Sequence, residues 1–313
     1  MTVRDFTAAD VPDQTGRTHL VTGANTGLGY ETANVLAARG ARVLMGCRNR
    51  DKAEAARGRI LATALNADVA IVELDLADLA SVRAVAERVR EEDRLDALIN
   101  NAGLMMPPRG ETTDGFERQF GVNHLGTFAL TGLLIDKLRE TPRSRVVTTA
   151  SNAHRSGRID LDDPNATTSY SRWGRYAMSK LANLLHALEL DRRLRVADPS
   201  PDRTIAVSCH PGGADTELGR FMPGPLKLAL PLMRPFLNTA AMGAWPQLAA
   251  ATAPGVEGGD YLGPSGRGEW KGPARTVEPT ERAKDVELAR QLWALSEEMT
   301  GVRYDLVPVP ERA

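Results

Sequence analysis

The feature that most constrains this chain is a repeated alternation of short apolar runs with longer amphipathic segments. The runs occupy residues 19–22, 42–45, 69–72, 95–99, 145–148 and 204–207, and helical patterns fall near 27–39, 50–65, 78–91, 114–139, 170–195 and 282–299. Runs of four or five residues suit strands, and strands that alternate with helices read as βαβ units. Parallel strands joined by helices must be covered on both faces. The pattern therefore predicts an α/β, doubly wound Rossmann fold with a seven-stranded, mostly parallel sheet, its last strand at 259–262. No Pro/Gly/Ser-rich linker interrupts the alternation through about residue 210, which predicts one domain over 17–300, preceded by an N-terminal arm at 1–16 and followed by a tail at 301–313.

A substrate lobe is expected at about 213–250. Its stretch 221–248 is the most apolar in the chain, but Lys227, Arg234 and five prolines interrupt it. A membrane span needs about 20 uninterrupted apolar residues, so no integral membrane segment is expected. Phe221, Leu226, Leu228, Leu232 and Phe236 instead suit a mobile lid over a hydrophobic substrate.

Charge narrows the partner. With 39 basic and 40 acidic side chains, a net charge of -1 leaves no electrostatic footprint for nucleic acid or an anionic membrane, and a small molecule is expected. Cys47 and Cys209 each fall in an apolar run, where free cysteine packs as a small hydrophobe. No His/Cys cluster has metal-ligand spacing, so no metal site and a reducing cytoplasm are expected. The N-terminus lacks the basic flank and apolar run of a secretion signal.

The first strand-helix junction carries Gly23, Asn25, Thr26, Gly27, Leu28 and Gly29. Glycines there let the backbone turn sharply and approach a pyrophosphate, which the helix N-terminus stabilises. Some 19 residues beyond Gly29, where an acidic residue would hold a ribose hydroxyl, stands Arg48. A cation suits a 2′-phosphate, although a solvated loop arginine reads the same way. Asp75, followed by Leu76, ends the third strand and is open either to an adenine edge or to capping the next helix. The fourth strand ends in Asn100-Asn101-Ala102-Gly103, small residues and amides fit to line a ligand crevice.

Tyr176 and Lys180 lie one helical turn apart on the long helix after the fifth strand, and Ser151 stands at that strand's end. Side chains at i and i+4 share a face, so the ammonium of Lys180 can favour the phenolate of Tyr176. Unaided, tyrosine titrates near pKa ~10 and is a poor base at neutral pH. Ser151 could donate a hydrogen bond to an oxygen on which charge develops. His154 invites reading as a base, but its place three residues past a strand end equally fits a loop or capping residue.

The combination of residues 22–29, Asn100-Asn-Ala-Gly103, Asn123, Ser151, Tyr176-x-x-x-Lys180 and Pro211-Gly212 resembles the short-chain dehydrogenase/reductase family over about 16–300. Within it, 122–126, 179–183 and 210–212 resemble the branch of retinol dehydrogenases, WW-domain oxidoreductase and protochlorophyllide-reductase-like enzymes. The resemblance implies that Tyr176 is the general acid/base, Lys180 binds the nicotinamide ribose, Ser151 orients substrate, and Asn123 holds a relay water. It also implies that Asn101, Ala102, Gly103, Pro211, Gly212 and Thr216 contact the cofactor, NADP(H) or alternatively NAD(H). An insert of about a dozen residues between Ser151 and Tyr176, shared with that branch, leaves Thr149 as the alternative to Ser151. Retinoid-acting relatives carry a membrane anchor before the glycine motif, whereas a short polar arm of about 16 residues is read here. Homodimers or homotetramers pairing through 114–139 and 170–195 are the family expectation.

The implied activity is hydride exchange between nicotinamide and a carbonyl or alcohol, probed against two alternatives. A cofactor-binding regulator without turnover would be marked by loss of Tyr176 or Lys180. A sugar-nucleotide epimerase would need a Gly-x-x-Gly-x-x-Gly turn and a larger C-terminal domain.

Overall fold

The computed structural model describes residues 3–213 and 237–306. Its strands are β1 (Thr18–Thr22), β2 (Arg42–Cys47), β3 (Asp68–Glu73), β4 (Ala97–Asn100), β5 (Arg145–Thr149), β6 (Ile205–Cys209), β7 (Tyr261–Pro264) and β8 (Ala274–Thr276). They form one sheet in the order β3-β2-β1-β4-β5-β6-β7-β8, with every pairing parallel except β7 with β8. The helices bearing on the site are α1 (Gly27–Ala38), α2 (Arg50–Thr63), α3 (Leu79–Arg90), α4 (Gly126–Glu140), α5 (Arg172–Ala197), α6 (Ala240–Thr252) and α7 (Val286–Thr300).

The apolar runs form buried strands because successive side chains point to opposite faces and both faces are covered. Val21, Val43, Ile99, Val147 and Val207 pack with α1, α2 and α6 on one side. Their neighbours Leu20, Leu44, Leu98, Val146 and Ala206 pack with α3, α4 and α5 on the other. Chain order reverses at β1 and β4, which opens a crevice beyond their carboxyl ends.

The structure corrects the expected seven strands to eight. β8 is only three residues long, and its Ala-Arg-Thr has no apolar run; it exists by hairpin pairing with β7. The edge of β8 is met by the N-terminal segment, where the amides of Phe6 and Ala274 each donate to the other's carbonyl at 2.9 and 2.8 Å. Val3, Phe6 and Val11 are buried, so this arm packs into the core.

The helical pattern at 114–139 is broken as well. A turn at Arg118–Phe120 passes through a π-helical segment, Gly121–Leu125, before α4. In the expected lobe, 240–252 proves to be the buried helix α6 packed on α1, while 214–236, with Thr216 and the five apolar side chains of the proposed lid, lies outside the described residues.

Candidate active site

The crevice is a cleft of about 270 Å3 that runs from the glycine turn to Tyr176. Gly23, Asn25, Thr26, Gly27, Leu28, Arg48, Asp75, Leu76, Asn101, Ala102, Gly103, Tyr176, Lys180 and Pro211 all line it. At the turn, Gly23 and Gly27 have φ of 68° and 55°, the left-handed region that glycine enters without strain. A Cβ at Gly29 would collide with the carbonyl oxygen of Gly23 and the amide of Asn101, so only glycine lets helix and turn close up. Thr26 is the N-cap of α1 but makes no side-chain capping bond. The first amides of that helix therefore face the cleft with donors to offer an anion. The Sγ of Cys47, whose pKa burial pushes up to about 11, accepts hydrogen bonds from the backbone of Ala24 and Asn25 and supports the turn from below.

At the far end of the turn Arg48 projects with its side chain 65% exposed, its Nη1 3.8 Å from Asp75 Oδ2. Asp75 accepts from the amide of Ala77 at 2.9 Å, forming an Asx turn. The N-cap of α3 is Asp78, which settles the capping alternative against Asp75. Asn49 caps α2 and brings Lys52 onto the same rim as Arg48. Lys52 went unrecognised in the sequence, although its place in the first turn of α2, just past Arg48, sets a second cation beside the same rim.

The floor is tied to β1 by Thr22. Its Oγ accepts from the amides of Asn101 and Ala102 at 3.0 and 2.9 Å, and its carbonyl accepts from Asn101 Nδ2 at 2.8 Å. Asn123 is fully buried in the π-helical segment. Its Oδ1 accepts from Leu104 N at 2.8 Å, and its Nδ2 donates to Leu104 O and to Ser179 Oγ, both at 2.9 Å. The Asn123 side chain thus pins the 101–104 loop to α5, and its amide is fully committed to that task. The extra residue in the π turn is what brings it into register, and π-bulges recur at functional sites for this reason.

Tyr176 and Lys180 are both 4% exposed, on the face of α5 that meets the cleft. Burial pushes the Tyr176 phenol up to about 12, and a hydrogen bond from Ser151 pulls it partly back. Burial also brings the Lys180 ammonium down to about 8. Lys180 Nζ lies 5.9 Å from the Tyr176 ring centre and donates to Thr149 O at 3.0 Å. Burial is the larger influence here, and the phenol holds its proton at neutral pH. Ser151 N-caps a short turn, Asn152–Ser156, accepting from Ala153 N at 3.2 Å while its hydroxyl faces Tyr176. Thr149 serves the site through its carbonyl and through a hydroxyl bonded to Gln247.

His154 is buried with Nδ1 2.7 Å from Ser151 O, and burial lowers it to about 4, which leaves it a neutral prop for the Ser151 turn. Gly212 adopts φ 73°, where a Cβ would strike Trp270 O. Met105, Met106, Ala153 and Ala177 pack around Tyr176, and the Trp173 ring stands 6.0 Å from it. Met106 holds φ 53°, a strained value for a side chain of its size and a device found where a loop must present a residue to a ligand. Among the described residues no group of three or more His, Cys, Asp or Glu could hold a metal ion, and no helix is long and apolar enough to cross a membrane.

A family model described as short chain dehydrogenase matches residues 17–220. Retinol dehydrogenase 14 of Homo sapiens is 42% identical over 305 residues, covering 92% of this chain and 87% of its own. A crystal structure of a protein from Mycobacterium paratuberculosis is 42% identical, covers 96% of this chain and 99% of that one, and superposes with a TM-score of 0.79. A short chain dehydrogenase of Escherichia coli CFT073 complexed with NADPH is 26% identical, covers 77% and 92%, and has a TM-score of 0.59.

Proposed function

Given that the chain belongs to the short-chain dehydrogenase family, an oxidoreductase family, we propose that it exchanges hydride between NADP(H) and the carbonyl or alcohol carbon of a lipophilic small molecule. The observation that carries this reading is one continuous cleft with the glycine turn and the start of α1 at one end and Tyr176 and Lys180 at the other, Ser151 being hydrogen-bonded to Tyr176 from beside it. The cradle fits a dinucleotide. Open helix amides suit the pyrophosphate, and Arg48 with Lys52 suits a 2′-phosphate, a choice supported by the NADPH in the E. coli relative. Bound there, a nicotinamide cofactor would supply or accept the hydride, held by the glycine turn, Arg48, Lys52 and Lys180.

The protein's own share is binding, orientation and proton transfer. Tyr176, protonated at neutral pH, is set to donate its proton to a carbonyl oxygen as charge develops there, and Ser151 donates a second hydrogen bond. Lys180, anchored on Thr149 O, presents a cation and donors to a ribose at the cleft's inner end. Met105, Met106 and Trp173 supply an apolar wall, and the resemblance to a retinol dehydrogenase agrees with an apolar alcohol or aldehyde. We further take residues 17–300 as one catalytic unit, and the two free, buried cysteines fit a reducing cytoplasm. A regulator without turnover is disfavoured by the presence of both Tyr176 and Lys180 in the cleft.

The test is loss of NADPH absorbance with a panel of aldehydes, ketones and quinones, run beside NADH. Turnover of at least one carbonyl with NADPH supports the proposal. Tight NADPH binding with no turnover across the panel would favour the regulator.

A further inference from the structure

The helix α6 carries one amide in an otherwise apolar sequence, Gln247 in Ala-Ala-Met-Gly-Ala-Trp-Pro-Gln-Leu-Ala-Ala-Ala-Thr. It has no exposed surface, and its polar atoms are used on three other elements. Its Oε1 accepts from Thr32 Oγ at 2.8 Å, on the helix that starts at the glycine turn. Its Nε2 donates to Asn101 Oδ1 at 2.8 Å and to Thr149 Oγ at 3.1 Å. Asn101 in turn donates to Thr22 O beneath the turn, and Thr149 O accepts from Lys180 Nζ and from Asn183 Nδ2 at 3.0 and 3.1 Å. One side chain thus links the helix that follows the glycine turn, the cleft floor and the strand end that holds Lys180.

We propose that Gln247 is a positioning residue that couples the cofactor cradle to Lys180, so that one amide sets both the cofactor's seat and the lysine's alignment. This rests on the reading of Lys180 and the cleft given above. A buried polar group whose partner is removed costs its full desolvation penalty. An apolar residue at 247 therefore leaves Thr32, Asn101 and Thr149 each to find another partner, and the cheapest adjustment is movement of the 101–104 loop and of the end of β5. Both ends of the cleft then loosen together. A mere packing residue would loosen only its own surroundings.

The experiment compares Gln247→Leu with Leu248→Ala, a fully buried neighbour on the same helix whose apolar side chain forms no hydrogen bond to these groups and which controls for lost stability. Two readouts are taken on the full chain: amide hydrogen exchange without cofactor, and NADPH binding by fluorescence titration. For Gln247→Leu, exchange should speed up at 99–104 and at 147–151 together, and NADPH affinity should fall about 10-fold, the size expected if one buried polar group beside the cleft stays unpaired. Leu248→Ala should unfold earlier yet change neither segment selectively nor the affinity by more than about 2-fold. If NADPH is bound, kcat should also fall and its pH profile shift, since Lys180 moves. Acceleration at one segment alone, or wild-type affinity, would overturn the proposal. Wild-type protein that fails to bind NADPH would instead overturn the cofactor assignment and leave the exchange result to decide the coupling.

Discussion

Tyr176→Phe removes one oxygen from a ring already packed against Met105, Met106, Ala153 and Ala177, so it separates proton transfer from packing. We predict a loss in kcat of roughly 10²–10⁴, the usual worth of a general acid, with NADPH affinity within about 2-fold of wild type. Near wild-type turnover in steady-state assays would remove Tyr176 from the chemistry. Lys180→Met should act on both kcat and cofactor affinity, because the ammonium reaches the cleft as well as Thr149 O. Arg48 is a different case. Its guanidinium is largely solvated and shares the rim with Lys52, so water weakens each contact and Lys52 carries part of the load. Arg48→Ala should then cost about 10-fold in NADPH affinity and leave NADH binding unchanged, and the double change with Lys52→Ala should cost more than either alone. Equal losses for the two cofactors in titration would reduce Arg48 to a surface residue.

At the scale of elements, the arm that bridges to β8 gives a stability test. Phe6 is buried against the far edge of the sheet, and Phe6→Ala should lower unfolding free energy by about 3 kcal/mol in urea titration while kcat holds. A change below about 0.5 kcal/mol would mean that the arm merely rests on the surface. This contact shows where the sequence stops being legible. β1, β2 and β4 to β6 were readable because each is a run buried on both faces, β3 because Val69 and Val72 are buried on opposite sides, and the glycine turn because Gly23 and Gly29 have no substitute sterically. β8 is set by pairing with β7 and Phe6, which leaves no local apolar pattern in Ala274–Thr276. Helix α6 lacked a polar face and held Pro246, so its pattern resembled a lobe; a helix apolar all round is instead a buried one, and the lone Gln247 within it was the readable sign of an internal hydrogen-bonding site. The π turn around Asn123 differs from α-helix by a single residue of register, which periodicity does not resolve.

Across the whole molecule, α7 and the segment after it close over α4 and α5. Trp293 meets Phe128 and Tyr304 edge-on, at 5.2 and 4.5 Å between ring centres, and the Tyr304 hydroxyl donates to Phe128 O at 2.7 Å. An association of copies through α4 and α5 is thereby confined to the faces that α7 leaves open. The same closure buries His124 and His186, and it belongs to a wider pattern: all five histidines are buried. Burial lowers His19, His124 and His154 to about 4 and His186 well below its ordinary value, and it lowers His210 less fully because Glu269 stands 2.9 Å away. In the unfolded chain each titrates near pKa ~6.5. Between that value and about 4 the unfolded state binds more protons than the folded one, so stability rises with pH through this window. It is fully present above the unfolded pKa and drains away as pH falls, at up to about 1.4 kcal/mol per pH unit for each histidine that stays neutral. Urea midpoints should therefore be flat from pH ~8 to ~7 and fall steeply from ~6.5 to ~4.5. His124→Gln keeps a polar partner within reach of Ser296, now 2.9 Å from His124 Nε2, and removes one of these protons. The variant should start less stable at neutral pH but lose stability more gently on acidification, by about one proton's worth of slope. Parallel curves for the two proteins across this range would show that His124 titrates alike in both states, and that its burial contributes nothing to acid sensitivity.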